Sequence, residues 1–281
     1  MTMKDKIEII GKGTLIQHGS LSNRIYLMKL HEQDAPIILK KLSELARDNK
    51  YTKIFCKIPT WLAPIFLSGG YIQEANIPKF YNGTDDVSFV SKFLDSDRKL
   101  KIDSLAFEKL SLLLKGESKK HKDSNQLKPE YEIRKLVNTD VKQITAIYKD
   151  VFISYPFPIH KPEYILETMN ENVQYFGAIK DNELMAVASS EIDAKGLNAE
   201  MTDFATHKKF LGNNLSSVLL QKMEDEIKTQ GIRTVYTIAR LNSIAMNKTF
   251  LKFDYRYSGT LINNTNIAGS IESMNVYYKH L

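Results

Sequence analysis

The sequence predicts an α/β protein of two domains, the second built on a mixed, mostly antiparallel sheet flanked by helices and the first a further α/β domain. Three observations lead there. In the C-terminal part, antiparallel hairpins precede a strand–helix–strand crossover, which requires a parallel pair inside an otherwise antiparallel sheet. A basic, apolar-poor stretch at residues 115–129 reads as a solvated linker and leaves segments of ordinary domain size, 1–114 and 130–281. The first segment also carries a weaker version of the strand–helix–strand order of the second.

In the second segment, residues 131–137 alternate apolar and charged side chains, the pattern of a strand. Asn138-Thr139-Asp140 supply capping groups before apolar residues at 141, 144, 147, 148, 151 and 152, a helical stripe that Tyr155-Pro156-Phe157-Pro158 stops. A short helix is expected from about Pro162. Three strand-like runs follow, 174–179, 184–192 and 198–206, with turns at Asp181-Asn182 and Lys195-Gly196. Residues 215–229 form an amphipathic helix with Val218, Leu219, Met223 and Ile227 inward, Lys222, Glu224, Asp225 and Lys228 outward, and Gly231 ending it. A buried strand at 234–239, a helix at 243–253 and strands at 255–261 and 273–278 complete the order. In the first segment, a strand at 51–58, a helix at 60–68, a strand at 71–77 and an apolar run at 87–90 repeat part of it, which fits a degenerate internal duplication.

Composition excludes several classes of function. Cys56 is the only cysteine, so the chain alone can build no disulfide, cysteine zinc cluster or iron–sulfur site, and a reducing cytoplasmic location is expected. Charges at residues 4, 5, 6 and 8 break any signal-peptide core, and no apolar run is long enough for a membrane span. The net charge of +6 comes from residues 1–130, with 22 Lys+Arg against 16 Asp+Glu, whereas residues 131–281 balance at 17 each. The basic stretch has no interleaved aromatics, so nucleic-acid binding is not expected. The six histidines show no ligand spacing, so no metal is expected.

The segment 200–255 is the most informative. A strand ending in Phe204-Ala205-Thr206, a loop, and Gly212-Asn213-Asn214-Leu215-Ser216 opening a long helix make a phosphate-binding arrangement: free N–H groups and the positive dipole end suit a pyrophosphate. The same residues also make a good helix-initiating turn with no ligand. This segment resembles the GNAT superfamily of acyl-coenzyme A N-acyltransferases. With SYPFPIHKPEYI, MTDFATHKKFLGNNLSSVLLQKMEDEIKTQGIRTVYTIAR, GTLINNTNIAGSIESMNVYYKHL and matches in the first segment (NRIYLMKL, YTKIF, GYIQEANIPKFY), it is similar to the β-lysine N-acetyltransferase family along most of the chain. The family's loop arginine falls on Leu211 and its second glycine on Asn214, so only Gly212 keeps a motif glycine.

The resemblance implies a GNAT-type sheet at 130–281, a degenerate GNAT-like domain at 1–114, and transfer of acetyl from acetyl-CoA to the 6-amino group of β-lysine. The product is a compatible solute for osmoadaptation, with β-lysine supplied by a lysine 2,3-aminomutase; a homodimer is compatible with the family. Other small amines, protein amines, or a non-catalytic coenzyme A-binding module remain alternatives. Coenzyme A contacts are expected from Phe204, Ala205, Thr206, Leu211, Gly212, Asn213, Asn214, Leu215, Ser216, Asn242, Asn247 and Phe250. Glu200 and Asp203 are both candidates for the base that removes the amine proton. Phe250 stands where many members have a tyrosine acid, so Tyr255, Tyr257 or bound water is left as the candidate donor to the leaving thiolate, or the thiolate leaves unassisted; core or sheet-face packing is the other role of each tyrosine. Tyr155, Asn263 and Asn264 are candidate acceptor contacts; an Asn-rich turn is the other reading of 263–266.

Overall fold

The computed structural model describes residues 5–116 and 131–281. The expected linker at 115–129 lies outside these residues except for Lys115 and Gly116, which finish a helix rather than begin a linker.

The first half opens with an antiparallel meander, β1 (Asp5–Ile10), β2 (Thr14–Gly19) and β3 (Arg24–Lys29), then α1 (Ile38–Asp48) and β4 (Lys53–Pro59). There follow α2 (Ala63–Ser68), β5 (Ile72–Tyr81), β6 (Asp85–Phe93), α3 (Ser96–Leu100) and α4 (Ser104–Gly116). The second half comprises β7 (Glu132–Lys135), α5 (Val141–Val151), α6 (Pro162–Glu171), β8 (Val173–Lys180), β9 (Glu183–Asp193) and β10 (Asn198–Thr206). It ends with α7 (Leu215–Thr229), β11 (Thr234–Arg240), α8 (Ile244–Lys252), β12 (Arg256–Ile267) and β13 (Ser270–His280).

The sheet orders are β1-β2-β3-β4-β6-β5 and β7-β8-β9-β10-β11-β13-β12. Among the described residues each sheet has one parallel pair, β3 with β4 and β10 with β11, and the helix between the paired strands is the crossover. Without β7, α5 and α6, the second half has the strand order of the first. Residues 5–50, whose pattern predicts no element, supply three strands and a helix whose buried Ile38, Leu42 and Ala46 recur every fourth residue.

Helix α7 covers the second sheet because Leu215, Leu219, Leu220, Met223 and Ile227 meet small or flexible residues, Ala178, Met185, Ala199 and Met201. Glu224, expected on its solvent face, is instead buried and paired with Lys279 at 2.6 Å. The expected strands at 255–261 and 273–278 are parts of a longer hairpin, and the chain turns at Ala268-Gly269 rather than at Asn263–Asn266, where β12 continues after an irregularity.

The two halves meet face to face. Tyr26, Phe55, Phe80 and Phe89 of the first form one cluster with Tyr236, Leu261, Met274 and Val276 of the second. The strands β5 and β12 come so close that a Cβ on Gly259 would lie 2.1 Å from the Glu74 carbonyl oxygen, leaving room for glycine alone. At this seam the buried pair Lys53–Glu74 (2.9 Å) holds Ile262 by both backbone groups: Lys53 Nζ donates to its carbonyl and its N–H donates to Glu74. Arg98 adds donors to Asn263 and Asn264 carbonyls.

Candidate active site

Strands β10 and β11 pair only from Asn198 to Glu200, against Thr234 to Tyr236. Beyond that β10 runs on to Thr206 beside β9, and β11 runs on to Arg240 beside β13, so their facing edges separate. A backbone edge with unpaired N–H and C=O groups is open to an extended ligand. The opening leads into a cavity of ≈ 390 Å³ lined by Thr202, Asp203, Phe204 and Thr206 on one side and Thr237, Ile238, Ala239 and Arg240 on the other.

Carboxylates gather at the mouth of this opening. Glu200 is the last paired residue before the strands part, and Glu191 stands directly opposite it on β9. The register of β9 and β10 then breaks between Thr202 and Ala205, where Asp203 takes a φ of +55°. That bulge turns Asp203 into the same cavity as Glu200, which strict alternation along a strand would prevent. Asp203 is held on both oxygens, by the Tyr155 hydroxyl and by Ser189 Oγ at 2.6 Å. Loss of water raises the pKa of all three carboxyls, and repulsion from its neighbours raises Glu191 further. Lys57 opposes the rise at Glu191 and Glu200, and the hydroxyl of Tyr236, which accepts from Lys57 Nζ at 3.1 Å, opposes it at Glu200.

The other wall belongs to the first half: Arg24, Tyr26, Met28, Phe55 and Lys57 line the cavity from β3 and β4. The site is therefore built between the two halves. Helix α7 begins at the cavity's edge, after a loop in which Gly212 has a φ of +84° and nothing within 4 Å of its Cβ position. Such a loop, followed by the first N–H groups of a helix, fits a pyrophosphate.

Residues 142–255 match the acetyltransferase (GNAT) family. The β-lysine N(6)-acetyltransferase of Methanococcus maripaludis is 38% identical over 279 residues, covering 99% of both chains. The chain belongs to the GNAT acetyltransferase family. Two further relatives are the N-acetyltransferase YodP of Bacillus subtilis, 28% identical over 99% of this chain and 100% of that one, and a β-lysine N(6)-acetyltransferase of Methanosarcina mazei, 29% identical over 85% and 95%. GNAT enzymes use acetyl-CoA as cosubstrate, and this chain is an acetyl-CoA-dependent N-acetyltransferase.

Against this GNAT frame, Glu200, Asp203, Tyr155, Asn264, Phe204, Thr206, Leu211, Ser216 and Phe250 all line the cavity. Phe204 and Phe250 meet edge to face at 5.6 Å. Ala205 is buried behind the bulge and Leu215 under α7, so each contributes backbone at most. Gly212, Asn213 and Asn214 lie in the loop before α7, outside the cavity lining; Asn214 is left-handed (φ +58°), and its side-chain oxygen accepts from Ser217 Oγ at 2.6 Å.

Four further expected side chains lie outside the cavity lining: Asn242, Asn247, Tyr255 and Asn263. Asn247 is fully buried and fully used: its amide donates to Arg240, Leu241 and Ser243 carbonyls and accepts from Asn275 and Tyr277. Asn263 ties β12 to the first half by donating to the Arg98 and Lys101 carbonyls at 2.8 Å. Tyr255 is buried in the core against Phe250, near Glu224 and away from the cavity. Glu191, Arg24, Tyr26, Phe55 and Lys57 also line the cavity, and Tyr236 meets Lys57 and Glu200, although no sequence motif marks them. Glu191 had a readable signal, because the turn at Lys195-Gly196 sets it opposite Glu200; Arg24 and Lys57 had only their charge inside apolar strands.

Among the described residues, no group of three or more His, Cys, Asp and Glu is placed to hold a metal ion, and no helix is long and apolar enough to cross a membrane.

Proposed function

We propose that this enzyme transfers acetyl from acetyl-CoA to the 6-amino group of β-lysine in the cytoplasm. The observation that carries the acceptor assignment is the set of three carboxylates around the strand opening, which suits an acceptor bearing two ammonium groups. The full-length relatives named for that substrate support the same reading. Acetylation removes one positive charge from β-lysine and leaves a net-neutral zwitterion, the charge state suited to a compatible solute in osmoadaptation. A lysine 2,3-aminomutase would supply the acceptor.

Acetyl-CoA supplies the activated acyl carbon. The inner edges of β10 and β11 would bind its pantetheine arm, and backbone N–H groups from Gly212 to Ser216 its pyrophosphate. An alkyl ammonium, with a pKa of about 10.4, has no lone pair to attack with until a proton leaves. Glu200 is the proton acceptor: it sits where the strands part, and its raised pKa brings it closer to that of the amine it serves. Asp203, with both oxygens committed to hydroxyl donors, orients the acceptor and offsets its charge. The freed lone pair attacks the thioester carbon, N–H groups of the open β10 edge meet the oxyanion, and the carbon–sulfur bond breaks; the departing thiolate takes the second proton from the former amine, leaving the amide and coenzyme A thiol.

The test is thiol release from acetyl-CoA with β-lysine, lysine or a lysine peptide, followed by mass spectrometry of the product. Preference for β-lysine with acetyl on N6 is expected. Preference for the peptide, or no release with any acceptor, overturns the assignment.

A further inference from the structure

We infer that Arg24, contributed by the first half, recognises the carboxylate of the acceptor and so makes the enzyme specific for a diamino acid over a plain diamine. This rests on the reading of the cavity as the acceptor site.

Two buried guanidinium groups can be compared directly. Arg98 is saturated: Nε donates to Asn263, Nη1 to Asn23 and Thr52, and Nη2 to Ser22 and Asn264. Arg24 is only 4% exposed, yet its Nε and Nη1 have no hydrogen-bond partner among the described residues. An unsatisfied buried charge is costly, and proteins seldom keep one without a use. Arg24 lines the cavity, and its guanidinium lies 5.4 Å from the centre of the Tyr26 ring and 5.5 Å from that of Phe55, which limits its orientations. The acid whose charge acts on it most, Asp5, is spent on the N–H groups of Leu21 and Ser22. Burial lowers the Arg24 pKa to about 10, so it stays charged at neutral pH.

A carboxylate is the ligand that matches this vacancy, because its two oxygens accept the parallel donors of a guanidinium. Lys57, the other cation of this wall, already donates to the Tyr236 hydroxyl. The cavity thus sets one unfilled cation and three carboxylates around a single space, the complement of a molecule with one carboxylate and two ammonium groups. The buried Asn264 Oδ1, also without a partner, is a further acceptor for an ammonium.

The experiment measures kcat and KM of the full chain, Arg24→Lys and Arg24→Gln with β-lysine, β-lysinamide and 1,4-diaminopentane, the last being β-lysine without its carboxylate. The native enzyme is expected to favour β-lysine over the diamine by about 100-fold in kcat/KM. In Arg24→Gln that preference should fall to within about tenfold, through KM for β-lysine, with the diamine unaffected; Arg24→Lys should lie between. Equal losses on all acceptors, an unchanged preference, or a native enzyme indifferent to the carboxylate each overturn the inference. If Arg24→Gln does not fold, 3-aminobutanoate and its amide are compared as inhibitors of the native enzyme, and equal inhibition overturns it. Should lysine rather than β-lysine prove the acceptor, the functional assignment falls, while lysine against 1,5-diaminopentane tests Arg24 in the same way.

Discussion

The loops that follow β3 and β10 begin alike and end as opposites. His31 accepts a hydrogen bond from the Gln33 N–H and caps the short turn Glu32–Asp34; His207 accepts one from the Lys209 N–H and caps Lys208–Phe210. After β10 the turn is basic and leads through Gly212 into open space. After β3 it is acidic, and Asp34 folds back to accept from the Lys12 N–H and, at 2.7 Å, from Thr14 Oγ1. A Cβ on Gly11 would lie 2.2 Å from that carboxylate, so the space is filled. The strands differ as well: β10 extends over residues 201–206 past its last pair with β11, whereas β3 extends over only Met28 and Lys29. Strand order is therefore insufficient for coenzyme A binding. The nucleotide site proposed for the second half rests on a parted strand pair and an open loop free of negative charge, and the first half has neither while sharing the strand order. It serves as the wall of its neighbour's cavity. Arg24 precedes His31 by the same seven residues as Glu200 precedes His207, so related positions carry a cation in one half and the proposed base in the other.

The sharpest test of that division is Glu200→Gln, which should lower kcat by about 10²–10⁴-fold without loss of stability. The native rate should fall as pH drops through a Glu200 pKa raised above the ordinary carboxylate range, because the protonated acid cannot accept the amine proton. The Gln variant should lose that limb and recover partly at high pH, as the amine deprotonates unaided. A variant with native kcat would move the base to Glu191 or Asp203.

Next in size is the seam between the halves. Lys53→Met removes the cation from a pair in which Lys53 is fully buried and Glu74 nearly so, and strands the Glu74 carboxylate beside Ile262. The expected loss is about 3–5 kcal/mol in urea denaturation. Because Glu74 and Lys53 grip the β12 segment whose neighbours Thr265 and Asn264 line the cavity, KM for the acceptor should rise with it. A change below about 1 kcal/mol would mean that the halves hold together through the apolar cluster alone.

The paired loops give the third test. Gly212→Val imposes a left-handed conformation costing about 1–2 kcal/mol on a β-branched residue and should raise KM for acetyl-CoA about tenfold. Asp34→Asn, in the matching loop, should lower stability and leave that KM alone. A rise in KM from Asp34→Asn would give the first half a nucleotide role.

Much of the second half was legible because its periodicities are long and its turns carry Gly, Asn and Pro at the required places. The helix-initiating loop and Glu200 could be read from local order. The fates of Asn247 and Asn263 could not, since an asparagine that ligates and one that ties strands together look identical until partners such as Tyr277 or the Arg98 carbonyl are known. Arg24 and Lys57 were out of reach for a related reason: they reach the cavity through packing between segments more than a hundred residues apart, to which strand patterns are blind. Asp203 stood between these cases, because its placement depends on a bulge that sequence can permit but not locate.

The smallest expected effect is also the most particular to the second half. Glu191 faces Glu200 across the ladder, and the folded state raises its pKa by burial first and by repulsion from Glu200 and Asp203 next. A carboxyl whose folded pKa exceeds its unfolded value gives full stability below the unfolded pKa and loses it as pH climbs through the folded one. Glu191→Gln removes the group that must ionise. The variant should therefore melt a few degrees higher than the native protein at pH 8.5, about 2–4 °C for each kcal/mol relieved, and match it near pH 4.5. Its KM for the diamino acid should rise, since the repulsion relieved in the empty site is what a bound ammonium relieves in the native enzyme. An equal gain at both pH values would trace the effect to packing, and would separate Glu191 from the charge cluster that distinguishes this half from the first.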